Sequence, residues 1–134
     1  MKEIKIESRI GKIPHNEEKV FKKLSDLSFL QTFPLPKEID SIESDRDNCY
    51  ITVKGKQLQL KILEREEFKT IKFGGEESNM SFIMWIQIKQ IAENDTRFKL
   101  TLKAKMNMIL RSMAEKPLRL FVEKLADALE KIQY

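Results

Sequence analysis

The chain has 134 residues, of which 41% are hydrophobic and 34% charged, with four Gly and four Pro. That length fits one domain of the usual ~100–200 residues, read here as 1–134, and the composition is too apolar for a disordered tail and too charged for a membrane-embedded protein. Lys and Arg number 25 against 21 Asp and Glu, and the net charge of +4 is too small an excess to define a partner by itself.

Residues 2–12 alternate, with Ile4, Ile6 and Ile10 on one side and Lys5, Glu7 and Arg9 on the other, which predicts a half-buried first strand. The same alternation breaks up any apolar run of the kind a signal peptide needs, and no window reaches the ~18 apolar residues of a spanning helix. The expectation is a cytoplasmic chain with no stable membrane insertion. Pro14 ends the strand, and Asn16 before Glu17 and Glu18 offers a helix cap with acids in the first turn. Val20, Phe21, Leu24 and Leu27 keep helical spacing, and a second short helix is expected through Phe29, Leu30 and Phe33 before Pro34 and Pro36 stop it.

From about 38 to 104 the period changes to two. Breaks at Asp45–Asn48, Lys54–Lys56, Glu64–Glu67, Gly74–Asn79 and Glu93–Asp95 delimit six strands with hairpin-like connections. Cys49, Ile51 and Val53, then Leu58, Leu60 and Ile62, then Met84, Ile86 and Ile88, then Leu100, Leu102 and Ala104 mark one apolar face. Short connections and a single greasy face call for an antiparallel meander. Ile83 and Trp85 project to the other side. Residues 107–132 return to helical period, with Leu110, Met113, Leu118, Phe121, Leu125 and Leu129 on one stripe and a kink or break expected near Pro117.

Chemistry-bearing residues are sparse. His15 is the single histidine and Cys49 the single cysteine, so neither has a like partner for a triad, disulfide or Cys-rich zinc site. His15 reads as a surface turn residue and Cys49 as a small hydrophobe in a strand. The acids cluster in turns, although a Glu64–Arg65 pair leaning inward would suit acid–base work. No metal-ligand spacing occurs, so neither metal nor cofactor is expected. Gly74-Gly75 lacks the Gly-Lys-Ser/Thr of a phosphate loop and is read as a hairpin turn. Lys61, Lys72, Lys89, Arg97, Lys99, Lys103 and Lys105 form an outward stripe interleaved with acids, which fits a solubilising face better than a nucleic-acid surface.

Ile4–Ile13 with Pro14-His-Asn-Glu-Glu-Lys-Val-Phe and Leu24-Ser-Asp-Leu-Ser-Phe-Leu resembles the opening of the START-related SRPBCC superfamily, which includes polyketide cyclase-like and birch-allergen (Bet v 1-like) proteins. Trp85-Ile-Gln-Ile-Lys, Asp95–Ala104 and Pro117–Leu129 are similar to its last two strands and closing helix. The turn Asp45–Asn48 lacks the glycine-rich loop of the birch-allergen branch. The resemblance implies an α+β helix-grip fold: a curved, seven-stranded antiparallel sheet around a long C-terminal helix, with two short helices after strand 1. It also implies an apolar guest, a small molecule or lipid, held between sheet and helix.

The expected pocket has Phe29, Leu30 and Phe33 at its mouth and Met84, Leu100, Leu102, Leu110, Met113, Pro117 and Phe121 along its wall, since thioethers adapt to differing guests. A cyclase- or hydrolase-like enzyme using a cavity carboxylate is the second reading. The third is an interaction module that pairs with a protein or a second copy through the Trp85 face. Ligand identity is not written in the sequence.

Overall fold

A computed structural model describes residues 2–32, 37, 40–53, 55–77 and 80–134. Strands β1 (Lys2–Glu7) and β2 (Gly11–Ile13) come first. Helix α1 (Glu17–Leu24) and a 3₁₀ helix (Leu27–Thr32) follow. The meander consists of β3 (Ser41–Ser44), β4 (Asn48–Val53), β5 (Lys56–Glu66), β6 (Thr70–Glu77), β7 (Met80–Ala92) and β8 (Asp95–Met106), and helix α2 (Met108–Lys131) closes the chain. Every pairing is antiparallel, in the order β1-β8-β7-β6-β5-β4-β3, with β2 also paired to β8. The predicted α+β layout, its six-stranded meander and its two short helices are all present.

The predicted first strand is two strands, so among the described residues the sheet has eight rather than seven. Ser8 turns inward, its Oγ accepting from the Leu100 N–H (2.9 Å) and donating to the Arg9 carbonyl (2.7 Å). That irregularity shifts the phase by one residue. Ile10, predicted inward, is 65% exposed, while Gly11 and Ile13 face the core. Only glycine fits at 11, because a Cβ there would lie 2.1 Å from the Phe98 ring.

A second phase shift falls at Leu63, the extra residue between the Ile62–Phe73 and Glu64–Lys72 pairs. Leu63 is pushed to the surface, and Arg65 takes the inward position opposite Ile71. Its guanidinium reaches the edge of the sheet, donating to the Ser25 carbonyl (2.9 Å), the Arg46 carbonyl (3.3 Å) and Asp47 Oδ1 (2.6 Å). Arg65 therefore ties the end of α1 to the β3–β4 turn, and Glu64 is exposed. Gly74 and Gly75, predicted as a turn, lie within β6. A Cβ on Gly75 would sit 2.3 Å from the Gln59 carbonyl oxygen, so glycine here permits close backbone approach.

Helix α1 is capped as predicted, with Asn16 Oδ1 accepting from the Lys19 N–H (2.9 Å). Helix α2 runs unbroken through Pro117, so of the kink or break expected near 113–117 the break does not occur. Val122, Leu125, Ala126 and Leu129 are buried, and α2 packs on β1, β2 and β8. Arg9 clamps its end, reaching Asp127 Oδ1 (2.7 Å) and Glu130, while Glu130 Oε2 accepts from the Lys12 N–H (2.9 Å).

Candidate functional site: a cavity between sheet and helix

Because α2 lies over β1, β2 and β8, it leaves the inner face of β4–β7 uncovered along its other flank. A cavity of about 680 Å³ occupies that space. Its floor is built by period-two side chains of four neighbouring strands: Ile51, Leu60, Phe73, Met84 and Ile86, each 9% exposed or less. One side is the 3₁₀ helix and first meander strand, which contribute Leu27, Phe29, Leu30 and Ile42. The other is the middle of α2, with Pro117, Leu120, Phe121 and Leu125.

The described ionisable groups bordering the volume, Lys116, Arg119, Glu123 and Lys124, are all exposed and all belong to α2. The space thus has an apolar interior and a charged, mainly cationic lip. Such a shape buries alkyl or aromatic surface and leaves the polar end of a guest at the lip.

Phe29, Leu30, Met84, Pro117 and Phe121 stand together around this cavity. Leu100 and Leu102 are fully or nearly fully buried but belong to the sealed part of the core, because α2 covers β8. Met113 is 69% exposed and points away, which corrects its assignment to the wall. At ~100° per residue it lies roughly 140° around the helix from Leu118, so the predicted stripe is too wide. Phe33 and the Leu110 side chain lie outside the described residues.

The sequence reading missed Leu27, Ile42, Ile51, Leu60, Phe73, Ile86, Leu120 and Leu125 as lining residues. Their inward phase was readable for the strands. What was not readable is which strands α2 covers.

Reactive groups elsewhere are structurally occupied. Cys49 is buried on β4 and its thiol is pushed up to about 11 by desolvation. The His15 ring lies 5.8 Å from that of Tyr134, and its carbonyl accepts from Thr96 Oγ1 (2.7 Å). Tyr134 donates to the Leu129 carbonyl (2.6 Å), and burial raises its phenol. Among the described residues, the carboxylates with resolved shifts move downward: Glu7 through Lys99 and Lys5, Asp26 through Ser28, Asp45 through the Asn48 and Asp47 amides, Asp95 through Arg97 and Glu130 through Arg9. None of the five borders the cavity. On the outer face, the ammonium groups of Lys72 and Lys103 flank the half-buried Trp85 ring at 5.8 and 5.7 Å from its centroid. Among the described residues no cluster of His, Cys, Asp or Glu suits a metal ion, and no helix is long and apolar enough to cross a membrane.

No protein-family model matches the sequence, and no curated protein does. Solved structures do match. A START superfamily protein from Mycobacterium smegmatis is similar over 98% of this chain and 99% of its own, with TM-score 0.64 and 11% identity. A protein from Thermus thermophilus gives TM-score 0.66 and 20% identity over 96% of this chain and 95% of its own. Norcoclaurine synthase from Thalictrum flavum gives TM-score 0.71 and 14% identity over 97% of this chain and 86% of its own.

Proposed function

We propose that the chain, which has the helix-grip fold of these START and Bet v 1-like proteins, binds a hydrophobic small molecule or lipid in the cavity between β4–β7 and α2, without transforming it. The observation that carries this reading is the lining: an apolar floor and sides enclosing about 680 Å³, with charge confined to the exposed lip. Ten buried methylenes contribute about 8 kcal/mol gross at ~0.8 kcal/mol each, which is the same order as the cost of immobilising an acyl chain. The lip cations favour a guest with an anionic or strongly polar head.

Norcoclaurine synthase shows that this fold also serves an enzyme. A reaction in the present chain requires an ionisable group directed at the guest, and the described ones stand at the lip. Native mass spectrometry of gently purified protein, followed by organic extraction, tests the proposal. A reproducible bound mass recovered as an apolar compound is the expected result. A clean unliganded mass that also fails to take up added dodecanoate contradicts it.

A further inference from the structure

Pro117 stays inside helix α2 and also borders the cavity. Proline has no N–H, so the carbonyl four residues earlier, that of Met113, receives no donor from the next turn of the helix. The pyrrolidine ring crowds that carbonyl and tips it away from the axis. The neighbouring hydroxyl does not compensate, because Ser112 Oγ donates to the Ile109 carbonyl (2.8 Å).

Helical carbonyls run nearly parallel to the axis, toward the residue one turn ahead. The Met113 oxygen therefore ends beside Pro117, although the Met113 side chain leaves into solvent. At ~100° per residue the lining residues Pro117, Leu120, Phe121 and Lys124 fall within an arc of roughly 100°, and the freed carbonyl lies inside it. The rest of the cavity offers no comparable atom. Each floor strand has a neighbour on both sides, so its N–H and C=O groups are engaged in the ladder. The described lining side chains other than the lip ions are hydrocarbon and one thioether. An uncharged acceptor on such a wall is the one feature there that distinguishes guests by their hydrogen-bonding chemistry.

We infer that the Met113 carbonyl, freed by Pro117, selects guests whose polar end carries a hydrogen-bond donor. A hydroxyl or amide N–H satisfies that oxygen while the chain lies along the floor. An ether or ester oxygen at the same place brings a lone pair against a lone pair. One such bond is worth roughly three- to ten-fold in affinity. The inference rests on the proposed apolar-guest function and adds to it a requirement on the chemistry of the head.

The test is displacement of a dansyl-labelled fatty acid by dodecanol and by dodecyl methyl ether, in wild type and in P117A. The two competitors share a chain and an oxygen, but only the alcohol donates. Alanine restores the N–H at 117, closes the bond to Met113 and favours the helix, so P117A should melt no lower than wild type. The preference for alcohol over ether should fall about five-fold in P117A. Ether affinity should stay within about two-fold, since it reports only the lost ring and any straightening of the helix. A second readout needs no change at 117. With methionine labelled at the carbonyl carbon, the Met113 NMR signal, assigned by its loss in M113L, should shift with dodecanol and hardly with the ether.

Equal preference in wild type and P117A overturns the inference and leaves the carrier reading standing. A Met113 carbonyl signal that bound dodecanol leaves unmoved does the same. A wild-type chain that takes up neither the dansyl fatty acid nor either competitor removes the carrier reading itself, and the selectivity with it.

Discussion

Two leucines offer a matched pair for testing whether the cavity is open in solution. Leu60 on β5 is 5% exposed and borders the cavity, while Leu100 on β8 is fully buried beneath α2 and does not. Replacing either by Ala removes the same atoms, so the transfer contribution is common, roughly 2 kcal/mol. They differ in what remains. At Leu100 the deletion opens a sealed void among close-packed neighbours, adding ~24 cal/mol per Å³ and bringing the total to about 4–5 kcal/mol. At Leu60 the deleted atoms already faced empty space on one side, so fewer contacts are lost and L60A should cost about 2–3 kcal/mol. Urea unfolding with unchanged m-values measures the gap directly. Thermal melts should separate the variants by roughly 8 °C, from ~4 °C per kcal/mol at this size. Equal costs for L60A and L100A would mean that side chains fill the volume, and the carrier reading would go with it.

Further outcomes follow from the clamps and phase shifts. G11A should destabilise by about 2 kcal/mol or more, since its Cβ meets the packed Phe98 ring at 2.1 Å; F98L should cost less in that background than alone, read by a double-mutant cycle. Arg9 holds Glu130 below its ordinary 4.5, so this pair's contribution is fully present above that value and is lost as pH falls through the lower folded one. The melting temperature of R9Q should therefore fall less steeply than that of wild type below pH 4.5, and parallel curves would contradict the assignment. The buried Cys49 thiol, raised to about 11, should react with a disulfide reagent at about pH 8 far more slowly in native protein than in urea. Native reaction at the unfolded rate would place it at the surface.

Much of the architecture was legible because sheet periodicity and helix caps are local. Alternation through 49–53, 58–62, 82–88 and 98–104 assigns the inner face residue by residue, and Asn16 caps α1 as its position predicts. The errors lie where one residue shifts the phase. Ile10 reads as inward because nothing before Gly11 announces the bend at Ser8. The readable signal was Glu64, a charge where alternation after Ile62 calls for an apolar residue, and the Leu63 bulge moves Arg65 inward instead.

The lining of the cavity was legible only in part. Phe29, Leu30, Met84, Pro117 and Phe121 come together, whereas Leu100 and Leu102 are sealed and Met113 faces out. Which strands a terminal helix covers is decided by long-range packing, here by α2 resting on β1, β2 and β8 and by Arg9 clamping its end. No local pattern encodes that choice.

Methionine methyl NMR during a dodecanoate titration addresses the cavity most directly. Met84 lies on its floor and Met106 is fully buried outside its lining, so each reports a different part of the interior. A saturable shift at the Met84 methyl, with Met106 nearly unmoved, is the predicted result. An unchanged Met84 signal while surface resonances move would show that the guest never enters.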